Sequence, residues 1–236
     1  MKARPKAFLF DVFGTVVDWR SGVAFYAERI FAAKGIDFDS AQFADRWRGQ
    51  YQPAMQRIRD GKRGYVVLDT LHRENLDLLL AETGLEDRFD DDERDELTQA
   101  WECLPPWPDS VEGLRKFREL GFIAPCSNGS IRLMIRLARF ATLPWDTILG
   151  ADIAGNYKPQ PEVYRKSCSA IGLQPGEVMM IAAHNEDLAA ARDVGLMTGF
   201  LPRATEHGPG QDADLEATGD WDVIGHSIGD LASRCG

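Results

Sequence analysis

Four polar clusters along the chain combine side chains that can do chemistry. Asp11 closes the apolar run Ala7-Phe8-Leu9-Phe10 and is followed by Gly14-Thr15. A carboxylate there can serve as nucleophile or base. Ser127-Asn128-Gly129-Ser130 offers hydroxyl and amide donors, and Lys158 stands ahead of Pro159 and of Tyr164. The fourth cluster, His184-Asn185-Glu186-Asp187, mixes an imidazole with carboxylates. Singly, each has an ordinary structural explanation. Asp11 can stabilise a turn, the Ser127 cluster can cap a helix, a lysine before proline is usually at the surface, and Asp187 can complement a helix dipole. Their order and their placement beyond apolar runs set them apart.

The elements that must position them follow from hydrophobic periodicity. Ala7-Phe8-Leu9-Phe10 is a continuous apolar run, suited to a strand buried on both faces. From about Ser21 to Leu104 apolar residues recur every three or four positions, as in Phe43, Trp47 and Tyr51 or Leu76, Leu79 and Leu80. This predicts amphipathic helices joined near Gly35, Gly61-Lys62-Arg63-Gly64 and Gly84. The acidic run Asp90-Asp91-Asp92-Glu93 is expected to open one more. Pro105-Pro106-Trp107-Pro108 then marks a boundary. Beyond it, strands are predicted at 121–126, 147–149, 178–181 and, as the last, 198–201. Helices are predicted at 111–120, 131–140, 162–171 and 187–194. Pro125 weakens the first of these strands. Strands alternating with helices give the expected fold class, α/β, with a Rossmann-like parallel sheet and right-handed crossovers. The core is expected at residues 1–17 and 107–236, with a helical cap, 18–106, inserted after the first strand motif. In such sheets ligands bind beyond the carboxyl ends of the strands, where all four clusters fall.

Composition narrows the function. The 236 residues are 44% hydrophobic and 27% charged, an ordinary globular balance, with net charge −10. That acidity argues against nucleic acid or an anionic membrane surface as partner. No run approaches the roughly 18 apolar residues of a bilayer span, and the basic start leads into too short a run for a signal peptide. The four cysteines, Cys103, Cys126, Cys168 and Cys235, lie far apart and read as reduced thiols. A cytoplasmic location is expected.

Together the clusters resemble the haloacid dehalogenase superfamily. The resemblance rests on Phe10-Asp11-Val12-Phe13-Gly14-Thr15, Cys126-Ser127-Asn128-Gly129-Ser130, Lys158-Pro159 and the strand–loop–acid segment Ile181 to Asp187. Phosphatases of that superfamily carry a second Asp two residues after the nucleophile, where this chain has Phe13, and an acidic pair for Mg²⁺, where it has Ala182 and Ala183 ahead of Asp187. Phe-Asp-x-x-Gly-Thr, Ser-Asn-Gly-Ser, Lys-Pro-x-x-x-x-Tyr and a closing Asp are similar instead to the L-2-haloacid dehalogenase branch. Trp47-Arg48 with Gln50-Tyr51 resembles that branch's cap-helix arginine segment.

The resemblance implies hydrolysis of short 2-haloacids, (S)-2-haloacid to 2-hydroxyacid plus halide, without metal or other cofactor, and leaves open whether fluoroacetate is among the substrates. Asp11 would attack the carbon bearing the halogen, and water would then hydrolyse the resulting ester. Lys158 would keep Asp11 ionised, Thr15 would position it, and Asp187 would be base or orienter for the water. Ser127 and the N–H groups after Asp11, those of Val12 and Phe13, would hold the substrate carboxylate. Arg48 and Asn128 would cradle the halide, and Tyr164 would reach into the site. Trp19, Phe13 and Tyr51 are candidates for an apolar wall. His184 stands where the branch has Asn and is expected to line the site or satisfy its own loop. Two other readings are a phosphatase or phosphonatase of the same superfamily and a non-catalytic small-anion-binding protein. The apolar surface of the insert leaves a homodimer open.

Overall fold

The computed structural model describes residues 4–236; the first three residues of the basic start lie outside the described residues. The run Ala7–Phe10 forms β1, with all four residues buried. It is the third strand of a six-stranded sheet of order β3-β2-β1-β4-β5-β6. The others are β2 (Phe122–Ser127), β3 (Leu149–Gly150), β4 (Val178–Ala182), β5 (Met197–Phe200) and β6 (Val223–Ile224), and every pairing is parallel. Register decides where the chemistry falls. Phe10 pairs with Pro125 on one side and Ile181 on the other, so Asp11, Ser127-Asn128 and His184 leave the sheet at one edge.

Helices α6 (Ser110–Leu120), α7 (Ile131–Ala141), α8 (Ala151–Ala154), α9 (Pro161–Ala170) and α10 (Asn185–Val194) connect the strands. The expected last strand is not the last element. β6 follows, and then α11 (Ile228–Cys235), capped by Ser227 through Asp230 N–H at 3.0 Å. Two residues of strand carry no periodic signal. Pro125 is tolerated inside the sheet because β3 pairs only with Cys126 and Ser127.

Between β1 and β2 lie α1 (Trp19–Lys34), α2 (Ser40–Gly49), α3 (Tyr51–Arg59), α4 (Leu68–Glu82) and α5 (Asp91–Thr98). Asp18 and Asp39 cap the first two, and Asp90 with Glu93 forms a capping box on α5, so the acidic run opens a helix as its charge requires. The chain leaves and re-enters the sheet layer over paired segments. Asp18 N–H donates to Pro105 O at 2.9 Å and Trp107 N–H to Val16 O at 3.0 Å. Trp19, Trp47 and Trp101 are fully buried among these helices. All four cysteines are unpaired. Among the described residues, no helix is long and apolar enough to cross a membrane.

Candidate active site

A cavity of about 750 Å³ opens above the carboxyl ends of β1, β2 and β4. It gathers Asp11, Phe13, Arg48, Asn128, Lys158, Tyr164, His184 and Asp187, residues spread over most of the chain. Val12, Thr15 and Ser127 are fully buried and not part of its lining, and neither is Trp19. Tyr51 lines it.

Asp11 is the hub. Lys158 Nζ sits 2.8 Å from Oδ1, while Thr15 Oγ1 donates to Oδ2 at 2.7 Å and His184 Nδ1 lies 3.1 Å from the same oxygen. Thr15 is fixed in turn, because its hydroxyl oxygen accepts Ala183 N–H at 2.9 Å. An alanine side chain offers nothing here, but its backbone does. The turn after Asp11 is closed by Gly14 N–H to Val17 O at 3.0 Å and by Val16 N–H to Val12 O at 2.9 Å. The N–H groups of Val12 and Phe13 take no acceptor among the described residues.

Lys158 is held from every side. Its N–H donates to Asn128 Oδ1 at 2.8 Å, its carbonyl accepts from Arg59 Nη1 of α3 at 2.7 Å, and its ammonium also meets Asp187 Oδ2 at 2.5 Å. The other oxygen of Asp187 accepts from Tyr164 OH at 2.5 Å. Both carboxylates are buried, yet they are pushed in opposite directions. Burial alone would raise the Asp11 carboxyl, but the charges of Lys158 and His184 hold it well below the usual carboxylate range. Burial raises the Asp187 carboxyl, and Lys158 and Tyr164 only partly oppose it. Burial would lower the Lys158 ammonium, and the two carboxylates raise it instead.

Ser127 accepts Gly129 N–H at 3.0 Å and so shapes the turn; it is fully buried and is not among the residues lining the cavity. Arg48 reaches the cavity from the end of α2, a helix anchored by Trp47 Nε1 donating to His72 O at 3.0 Å. Its guanidinium carbon lies 3.9 Å from the Tyr51 ring centre, 5.3 Å from Trp19 and 5.8 Å from Phe13. Its Nη1 is buried without a hydrogen-bond partner among the described residues. A guanidinium boxed by aromatic faces, with no carboxylate on that nitrogen, is suited to receive an anion.

Glu206 completes the site without any signal in the sequence. It lies beyond β5 in a segment with no periodicity, and is 2% exposed. Its carboxylate bonds His184 Nε2 at 2.9 Å and accepts Trp19 Nε1–H at 3.0 Å. Arg203 ties the same segment to the first motif, donating from Nε to Thr15 O at 3.0 Å. Room for the carboxylate comes from Gly14, where a Cβ would stand 2.0 Å from Glu206 Oε1.

Comparison with known proteins identifies the family. A family model described as haloacid dehalogenase-like hydrolase matches residues 5–195. (S)-2-Haloacid dehalogenase 4A of Burkholderia cepacia is 30% identical over 196 residues, covering 82% of this chain and 81% of that protein. The crystal structure of a defluorinating L-2-haloacid dehalogenase superposes with a TM-score of 0.96 at 49% identity, covering 98% of this chain and 95% of the other. A second L-2-haloacid dehalogenase structure gives 0.94 at 44% identity, covering 98% of each chain. The chain belongs to the haloacid dehalogenase-like hydrolases.

Proposed function

We propose that this protein hydrolyses short-chain 2-haloacids, converting the (S)-2-haloacid to the 2-hydroxyacid and halide through an ester on Asp11. The observation that carries the reading is one cavity with a carboxylate clamped by a lysine and an aromatic-boxed guanidinium that has a nitrogen unpartnered among the described residues. Carbon–halogen displacement needs both: a nucleophile that is charged and aimed, and a donor set where charge grows on the leaving atom. Lys158 keeps Asp11 ionised and Thr15 fixes its plane. Asp187, with both oxygens engaged by Lys158 and Tyr164, orients the ammonium. The substrate carboxylate sits on the N–H groups of Val12 and Phe13, in the turn after Asp11. The halide goes to Arg48 and Asn128, whose Oδ1 is taken by Lys158 N–H and whose NH₂ remains to donate.

The relatives named as haloacid dehalogenases support this reading, and the one described as defluorinating supports including fluoroacetate. Phe13, packed edge-on to Trp101 at 5.9 Å, provides no acid for a leaving alkoxide, which counts against phosphoryl transfer. The proposed division is a core of residues 1–17 and 107–236 with a cap of 18–106 that brings Arg48 to the sheet edge. The test is halide release from L-2-chloropropionate in EDTA. Release supports the reading. No release, with turnover of an aryl phosphate once Mg²⁺ is added, overturns it.

A further inference from the structure

The two oxygens of Asp11 are not equivalent. Oδ2 already accepts from two groups, Thr15 Oγ1 at 2.7 Å and His184 Nδ1 at 3.1 Å, whereas among the described residues Oδ1 meets only Lys158 Nζ. A carboxylate oxygen has two in-plane lone pairs, so Oδ2 has both engaged and Oδ1 retains one for attack. Alkylation at Oδ1 leaves Oδ2 as the carbonyl oxygen of the ester. When water adds to that carbonyl carbon, the negative charge develops on Oδ2. The donors that charge needs are already in place.

The geometry points to His184 and Thr15 as the oxyanion hole for hydrolysis of the Asp11 ester, with Glu206 as the positioning residue that keeps His184 a charged donor. The inference rests on the covalent reading above and deepens it. In the step, the water oxygen bonds to Asp11 Cγ and gives up a proton to solvent. The tetrahedral centre then collapses, the bond from Cγ to Oδ1 breaks, and the second proton of the water passes to Oδ1, so the hydroxyacid leaves with its new hydroxyl protonated. Asp11 regains its carboxylate.

Three observations carry the argument. His184 stands between carboxylates, with Asp11 Oδ2 at Nδ1 and Glu206 Oε2 at Nε2, 2.9 Å away. Ionised carboxylates only accept, so both ring nitrogens must donate, and the ring is an imidazolium. Thr15 cannot turn its proton elsewhere, because its oxygen accepts Ala183 N–H. Glu206 is buried and fixed by Trp19 Nε1–H, with His207 Nε2 3.5 Å from its Oε1. The charged groups around His184 are thus Asp11 and Glu206 in contact, with Lys158 on the far oxygen of Asp11; the titratable ring of His207 lies behind Glu206. Burial would lower the His184 ring, and the two carboxylates raise it well above its ordinary value.

Single-turnover kinetics with acid quench and mass analysis of the Asp11 peptide test this, using L-2-chloropropionate. His184→Ala should give one equivalent of halide per site at close to the native rate. Steady turnover should then fall roughly 10²- to 10³-fold, the range for loss of one oxyanion donor, and ester should accumulate on Asp11. Glu206→Gln, which keeps the shape and the Trp19 contact, should lose ester hydrolysis at lower pH than the native protein, with Glu206→Asp restoring part of the range. If His184→Ala slows the halide burst as much as turnover, with no ester accumulating, or if the Glu206→Gln pH profile is unmoved, the assignment is wrong. Absence of ester in every protein, with label from heavy-oxygen water never reaching Asp11, would instead sink the covalent reading, and this inference with it.

Discussion

Replacing Lys158 with Met removes the cation that two buried carboxylates share. Its Nζ lies 2.8 Å from Asp11 and 2.5 Å from Asp187, and all three side chains are under one-tenth exposed. Methionine fills nearly the same volume, so the loss is electrostatic rather than a cavity. Breaking a buried pair from one side leaves uncompensated charge and costs about 3–5 kcal/mol. Against a total stability of about 5–15 kcal/mol, that is a large fraction. For a chain of this length it corresponds to a fall in Tm of about 6–20 °C. The orphaned carboxylates should relieve the strain by taking up a proton, so their titration moves upward in the folded variant. A group whose folded pKa is raised adds stability at low pH and loses it as pH rises, so the deficit should be large at pH 8 and smaller at pH 5. Thermal unfolding of both proteins at the two pH values measures this. The variant should also show no halide burst at neutral pH, since a protonated Asp11 is a poor nucleophile. A Tm unchanged at pH 8, or a deficit that widens toward acid, would refute the claim that Lys158 holds Asp11 ionised.

Arg48→Ala should slow halide release most for poor leaving groups, by roughly 10²-fold with chloride and less with iodide, because one anion donor is lost from the site. Equal losses across halides would dismiss its assignment. Gly14→Ala meets two obstacles, a φ of +90° and a Cβ 2.0 Å from Glu206 Oε1. It should cost about 1–3 kcal/mol in denaturant unfolding and slow ester hydrolysis more than ester formation. Stability within the error of the native protein would contradict it. His184 has a folded pKa raised above the unfolded value near 6.5, so its contribution to stability is fully present below that pH and fades as pH rises through the folded value. The stability gap between the native protein and His184→Asn should therefore narrow in alkali. A gap that grows there would place the ring neutral in the native state.

Much of this arrangement was readable from residues alone. The apolar run before Asp11, the Lys158-Pro159 step and the periodic helices between Ser21 and Leu104 are local signals, and the sheet brought them together as its topology requires. Arg48 was readable only through the resemblance, because an arginine beside Arg46 on a helix looks like solvated surface until Trp47 is seen to bury the adjacent face. Glu206 could not be found this way. Its role comes from a return of the chain to Gly14, a contact between positions far apart in sequence, and nothing in Thr205-Glu206-His207 distinguishes it from an ordinary loop. His184 was expected at the site, but its place between two carboxylates depends on that same return. Ser127 shows the reverse case: a motif residue whose type suits anion binding but whose side chain is buried in the turn. β6 escaped because two residues have no period, while Ser227 three positions before Asp230 was a usable signal for α11.

The covalent route itself is tested most directly by isotope. A single turnover of L-2-chloropropionate by excess protein in heavy-oxygen water should place the heavy atom in the Asp11 side chain and leave the first product molecule unlabelled at its new hydroxyl. Label appearing in that hydroxyl, with none on Asp11, would mean that water attacks the substrate carbon directly and would contradict the account.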